Sequence, residues 1–203
     1  MIAVVADADT LFGTTTRGLL IHLDFRGLIR LHWSPLILEE LSRALVDTGR
    51  KPDAKAAARH EQLMRAALPH AEVPVLTVQK QFRAVSGAMR SAKDMHVAAC
   101  AHAIVAAGYY PQTEVVSLVT NNIRDFGVRR LAALGIEVAR PDPFLLDLFQ
   151  READGVAAAF AALRATLRSE PSAEQLLDRL SADGQARTAA AMFTASRQGQ
   201  AKL

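Results

Sequence analysis

Residues 115–126 read VVSLVTNNIRDF, and this stretch decides the fold. The run VVSLVT (115–120) is short, apolar and rich in β-branched residues, which marks a strand buried on both faces. Asn122 and Asp125 follow it directly, at the carboxyl end where open parallel sheets bind their ligands. A short helix is expected over 122–133, Gly135 stops it, and IEVA (136–139) makes a further strand. Upstream, DMHVAACAHAIVAAG is a helical run that begins at Asp94 and ends at Gly108. Further back, IAVVA (2–6) is another buried strand, and Asp7 follows it. Strands alternating with helices in this way argue for an α/β fold, a parallel sheet flanked by helices.

Between these elements, Leu11, Leu19, Leu20 and Leu23 recur at roughly helical spacing. Ser34 before Pro35 is an N-cap followed by a first helical residue, and the helix it opens runs to Val46. Ile37, Leu41, Ala44 and Leu45 form its apolar stripe. Residues 53–68 read as a polar, Ala-rich helix and 71–79 as an irregular or extended connector. After PDP (141–143) the pattern is wholly helical to about Phe193, with Asp142 able to cap and Pro143 at the first position. Val156, Phe160, Leu163 and Leu167 keep one face, Ser172 with Gln175 resembles a capping box, and SRQGQAKL (196–203) is expected to fray. The organisation expected is a domain over 1–143 with a helical extension over 144–203 packed on it.

Composition narrows the functional classes. Half of the 203 residues are hydrophobic and 22% are charged, an ordinary globular profile. The single cysteine, Cys100, excludes an internal disulfide framework and fits a reducing compartment. Asp7 interrupts the opening apolar run, so no secretory signal is read there, and no membrane span is expected. A cytoplasmic protein is the expectation. The net charge of +3 is weak evidence for an anionic partner. From Phe144 onward, seven Lys or Arg balance seven Asp or Glu, so the excess lies in the first part.

Four acidic positions stand in apolar surroundings: Asp7, Glu40, Asp94 and Asp125. Asp7 and Asp125 each follow a strand. Asp94 precedes Val97, Ala98 and Ala101 by three, four and seven residues, which puts it on the buried face of its helix. Glu40 borders its apolar stripe, whereas Glu39 points to the polar side. Carboxylates gathered at one sheet edge repel and raise one another's pKa unless cations neutralise them. Oxygen donors without thiolates suit Mg²⁺ or Mn²⁺ rather than zinc. Taken singly, each position has a plain structural reading. Asp94 can cap its helix, Glu40 can pair with Arg43, Asp125 can serve a turn, and Asp7 or Asp9 can be solvated at a strand end.

Taken together, the segments VVADADTL, WSPLILEELSRAL, KDMHVAACAHA and LVTNNIRDFGVRRLAALGIEVARPDPFL resemble the successive motifs of PIN domains, above all those of VapC-type toxin ribonucleases. The resemblance covers roughly residues 2 to 150, and Thr120-x-Asn122-x-x-Asp125-Phe126 is its most distinctive part. It implies metal ligation by Asp7, Asp94, Asp125 and Asn122, with Glu40 as a further catalytic carboxylate that orients water or acts as base. Many members carry an Asp where Asn122 stands, and the amide keeps an oxygen but drops a charge. Thr120 matches a small hydroxyl that can bind a carboxylate. Asp9 falls at an often neutral position; read as continuing the strand alternation, it stands away from Asp7's partners, as an outer-shell ligand or bonded to nearby backbone.

The resemblance implies an endoribonuclease that uses Mg²⁺ or Mn²⁺ to hydrolyse tRNA, rRNA or mRNA, leaving 3′-hydroxyl and 5′-phosphate ends. It also implies a homodimer and a cognate antitoxin. A non-catalytic PIN-fold module binding RNA or protein is the alternative, and a DNA nuclease with the same chemistry is another. DADTL lacks the Thr that a haloacid-dehalogenase-type phosphatase motif needs. His96, two residues past Asp94, is read as turned from the carboxylate face, and His102 as packed or partly exposed. Trp33 is read as core, and Phe126 as packing behind Asp125. Arg50, Lys51, Lys55, Arg59, Lys80, Arg83, Arg90 and Lys93 flank the acidic positions and can contact phosphates, although solvated helix faces explain any one of them.

Overall fold

The chain, seen in a computed structural model, is described over residues 1–110 and 115–203. Strand β1 (Ile2–Ala6) leads into a short helix α1 (Ala8–Phe12) and then α2 (Thr14–Phe25). Strand β2 (Ile29–His32) precedes α3 (Pro35–Asp47), α4 (Ala54–Ala67), α5 (Val75–Gln79), α6 (Phe82–Ser86) and α7 (Met95–Ala107). Strand β3 (Val116–Val119), a 3₁₀ turn (Ile123–Asp125) and α8 (Val128–Ala132) lead to β4 (Ile136–Ala139). Helices α9 (Pro141–Arg151), α10 (Ala153–Thr166), α11 (Ala173–Ala182) and α12 (Ala186–Arg197) follow.

The sheet order is β2-β1-β3-β4. β1 and β3 run parallel, Ala3 opposite Val116 through Ala6 opposite Val119. β3 and β4 are parallel too, Val116 opposite Ile136 through Val119 opposite Ala139. This is the α/β, PIN-like sheet flanked by helices that the sequence leads one to expect, with helices at the C-terminal end. From β1 the chain goes outward to β2 on one side, and from β3 outward to β4 on the other. The strand order therefore reverses between β1 and β3, and the carboxyl ends of strands at such a reversal are where open sheets of this kind bind ligands.

Residues 2–12 and 30–139 form one compact unit. Ala3, Val4, Val5 and Ala6 of β1 are fully buried, as an interior strand requires. α7 packs on β1, β3 and β4 through Val97, Ala98, Cys100 and Ala101, small side chains that let the helix lie close to the strands. Gly108 ends it in a left-handed conformation (φ 59°), which glycine adopts without the usual side-chain penalty.

Met1, residues 13–29 and residues 140–203 form a second unit, in which α2 joins the four C-terminal helices. Leu19, Leu20 and Leu23 of α2 are buried, as are Val156, Phe160 and Leu163 of α10, the helix packed on it. Each such side chain contributes roughly 1.5–3 kcal/mol by leaving water. The approach is close at Gly18, where a Cβ would stand 2.7 Å from Cδ1 of Leu163. Leu167 lies just past the end of α10 and is only half-buried, so the expected stripe is one residue shorter. Two helices here are capped by carboxylates distant in sequence. Asp183 accepts from the amides of Thr15 (2.7 Å) and Thr16 (2.9 Å) at the start of α2. Asp142 accepts from Thr188 (2.9 Å) and Arg187 (3.2 Å) at the start of α12. Ser172 and Gln175 form a reciprocal capping box on α11.

Several local expectations are corrected. The connector expected over 71–79 contains α5, a turn of helix that follows Pro74 and packs on α7 with Val78 buried, so tertiary contact overrides the low helix propensity of Val75, Thr77 and Val78. The single helix expected over 122–133 is broken, because Phe126 is extended and pairs with Met89, and the Gly127 amide donates to the Ala88 carbonyl. Asp142 does not cap its own helix, which starts two residues earlier, at Pro141 after Arg140. Asp9 lies on α1 rather than on a strand. β2 was not expected, since IRLH is too short for its alternation to stand out. Among the described residues, no helix is long and apolar enough to cross a membrane.

Candidate functional site

Asp7 and Asp125 stand beyond the carboxyl ends of β1 and β3, on either side of the strand-order reversal. The Asp7 amide continues the ladder by donating to the Val119 carbonyl (3.0 Å), which fixes the residue against β3. Its carboxylate is buried and accepts from the Ala8 amide (2.6 Å) and the Thr120 hydroxyl (2.8 Å). Burial, followed by the charge of Asp9, pushes its pKa from 3.8 up to about 7. The two hydrogen bonds pull the other way, and the charge of Asp94 adds to the rise. Asp9 accepts from the Asn121 amide at 3.0 and 3.2 Å and from Thr120 at 3.3 Å. Burial raises its pKa despite these bonds.

Asp94 occupies the N-cap position of α7 but makes no side-chain cap bond. Its buried carboxylate instead accepts from the Asn122 side-chain amide at 2.9 Å. The same amide nitrogen donates to the Asp125 carboxylate. Burial, then the hydrogen bond and charge of Asp125, then the charge of Glu40, push the Asp94 pKa up to about 6, while Lys93 opposes the rise. Asp125 is held by its backbone, whose carbonyl accepts from the Arg90 amide (2.8 Å), and buried Phe126 packs behind it.

Glu40 is half-buried on α3 and does not pair with Arg43, which reaches Glu39 instead. It lies 3.4 Å from Nε2 of His96 and 3.8 Å from the Lys93 ammonium. The reading of His96 as turned from the carboxylates is thereby corrected. His96 faces away from Asp94 on its own helix but meets Glu40 across from α3, a contact that helical periodicity within α7 does not reveal. Burial lowers the His96 pKa, and the Glu40 charge opposes that. A groove lined by Leu36, Phe82, Lys93, Met95 and His96 opens beside Glu40.

The structure thus brings Asp94, Asn122 and Asp125 into direct contact, sets Asp7 with Thr120 beside them, and leaves Glu40 within electrostatic reach of Asp94. Among the described residues, no three His, Cys, Asp or Glu side chains converge on one metal position, and the carboxylates form a chain rather than a closed cage. Trp33 is fully buried in the core. His102 bonds Gln81 (2.8 Å) and is partly buried. Cys100 is buried, and burial raises its thiol pKa, so it stays protonated.

Comparison with protein-family models matches residues 141–193, which span α9 through most of α12, to the VapC50 C-terminal domain. No curated protein and no solved structure gives a significant match to the chain. Residues 141–193 are thus similar to a VapC-family C-terminal domain, and this supports the chain's resemblance to PIN-domain toxins of the VapC type.

Proposed function

We propose that this protein is a divalent-cation-dependent endoribonuclease and the toxin of a type II toxin–antitoxin pair. The observation that carries the reading is the meeting of Asp94, Asn122 and Asp125 near Asp7 at the β1/β3 reversal, with Asp7 and Asp94 both pushed toward protonation. Buried carboxylates so placed are costly unless a cation offsets their charge. The donor set is oxygen only, which fits Mg²⁺ or Mn²⁺. The Asn122 N–H groups lie between the Asp94 and Asp125 carboxylates, so the positive end of an amide dipole already balances them there.

In this reading Asp7, Asp94 and Asp125 would hold the cation, and the Asn122 side-chain oxygen would join them once the amide turns its N–H groups away from the Asp94 and Asp125 carboxylates. When bound, the cation supplies charge neutralisation for a phosphodiester and favours ionisation of water. Thr120 orients the Asp7 carboxylate, and Asp9 secures the Asn121 turn that carries Asn122. Glu40 orients the attacking water or takes its proton, with His96 and Lys93 fixing its direction. Water adds to phosphorus and the 3′-oxygen leaves, which yields 3′-hydroxyl and 5′-phosphate ends. All these groups fall within residues 1–143, and residues 144–203 serve stability. A homodimer, a cognate antitoxin and action on cytoplasmic tRNA, rRNA or mRNA complete the proposal.

A non-catalytic PIN-fold module is the second reading, favoured by the open arrangement of the carboxylates and by the amide at 122. Mapping cleavage sites on total cellular RNA after brief induction separates the two. Discrete new 5′-phosphate ends support the nuclease, and an unchanged RNA population supports the binding module.

A further inference from the structure

The segment Ala88–Arg90 and the segment Gly127–Arg130 line a groove whose chemistry differs from that of the carboxylates beside it. Its lining includes Arg90, Arg129 and Arg130 and no acidic side chain. The two segments are tied by the Met89–Phe126 bridge and by the Gly127 amide, which donates to the Ala88 carbonyl (2.7 Å). Gly127 is required there, because a Cβ would stand 2.6 Å from that carbonyl oxygen. Arg130 is anchored by donating to the Gly87 carbonyl. Arg90 and Arg129 are exposed, and no carboxylate among the described residues pairs with either. Val128, next to Arg129 in the chain, lines the same groove and is 40% exposed, an apolar surface among basic residues.

This groove adjoins the candidate site, since the Arg90 amide donates to the Asp125 carbonyl (2.8 Å). We infer that it is the binding subsite for the strand flanking the cleaved bond, with Arg90 and Arg129 on successive phosphates of single-stranded RNA and Val128 beneath a ribose or base. Guanidinium groups suit phosphate oxygens in geometry and charge, and such contacts position a strand without reading its sequence. An apolar contact beside them favours an unpaired strand, whose bases are free to lie against the protein. The inference rests on the nuclease reading for its purpose, but binding can be measured without cleavage.

The experiment is fluorescence anisotropy of the full-length protein with a labelled single-stranded RNA, in EDTA, across a salt series, together with cleavage kinetics in Mn²⁺. Arg90→Ala and Arg129→Ala are each expected to weaken binding about tenfold and to lower the log–log salt slope by about 0.7, the value for one phosphate contact on a single strand. In cleavage, KM should rise while kcat changes little. The double Lys variant keeps both charges and should recover most of the affinity, which separates a lost contact from a damaged fold. If the double Ala variant binds with wild-type affinity and slope, the subsite is overturned even though the wild type cleaves RNA. If the wild type binds through these arginines but never cleaves, the subsite stands and the nuclease reading falls. If the wild type neither binds nor cleaves, both fall.

Discussion

The side-chain nitrogen of Asn122 lies 2.9 Å from the Oδ2 atom of Asp94, and through the same nitrogen Asn122 also holds Asp125. One neutral amide thus links two carboxylates, and the charge of Asp125 is among the causes that raise the Asp94 pKa. The short-range order of the site depends on this link, and its chemistry yields the first prediction.

Replacing the link by Asn122→Asp removes both donated hydrogen bonds and adds a third carboxylate. The metal-free variant should melt lower than wild type by several degrees, a loss on the order of 1–3 kcal/mol for the buried Asp94 carboxylate left without its donor. Mn²⁺ should then raise its melting temperature more than that of wild type, because binding to the folded state stabilises it by mass action. A thermal-shift series with identical Mn²⁺ responses in both proteins would remove the cation from the proposed site.

Asp7 makes metal-free stability depend on pH. Its folded pKa of about 7 exceeds the ordinary 3.8, so the folded state holds the proton more tightly. The associated stability is fully present below about pH 4 and is lost as pH rises through 7. At roughly 1.36 kcal/mol per pH unit, the change is on the order of 4 kcal/mol. Asp94, raised to about 6, adds loss in the same direction between about pH 4 and 6. Urea unfolding of wild type and Asp7→Asn in EDTA should show the Asn variant gaining relative stability from pH 4 to 8. Equal stability differences at both ends would mean that Asp7 is not raised.

How much of this was legible follows from what each signal depends on. β1 and β3 are short apolar runs bounded by Asp7 and Thr120, and burial on both faces makes such runs conspicuous, whereas β4, with Glu137 exposed, was marked by the Gly135 stop before it. The N-caps Ser34 and Ser172 were legible because cap and capped amide are three residues apart. The contacts of Asp183 with Thr15 and Asp142 with Thr188 were not, since they join residues far apart in sequence. The same holds at the candidate site. Asp7, Asp94 and Asp125 stood out as acids among apolar neighbours, whereas the Glu40–His96 contact depends on how α3 meets α7. Arg90 was legible as one of several cations able to contact phosphates, but its place in one groove with Arg129 was not, because the two meet through the Met89–Phe126 bridge.

The contact of Asp183 with the start of α2 predicts a stability effect remote from the carboxylates. Asp183→Ala leaves the Thr15 and Thr16 amides without their acceptor and should cost about 1–2 kcal/mol in urea unfolding. Asp183→Asn keeps one acceptor oxygen and should cost less. A neutral Ala variant would show that water replaces the carboxylate fully.

Ending the chain after Phe149 removes α10, α11 and α12, and with them the side chains that cover Leu19, Leu20 and Leu23 of α2. The shortened protein retains Asp7, Glu40, Asp94, Asn122 and Asp125, yet it should aggregate or melt well below the full chain. A soluble product of equal melting temperature would show that the C-terminal helices are separable.

The central claim, that Asp7 and Asp94 serve cation-dependent RNA hydrolysis, is tested most directly by RNA cleavage with purified wild type, Asp7→Asn and Asp94→Asn in Mn²⁺ and in EDTA. Each substitution preserves side-chain volume and removes one charge, so circular dichroism and melting should report an intact fold. Wild type should cleave in Mn²⁺ and not in EDTA, and each variant should lose roughly 100-fold or more, beyond the effect of disturbing a group that merely supports a ligand. Wild-type cleavage that persists in EDTA, or full activity in either folded variant, would contradict the claim.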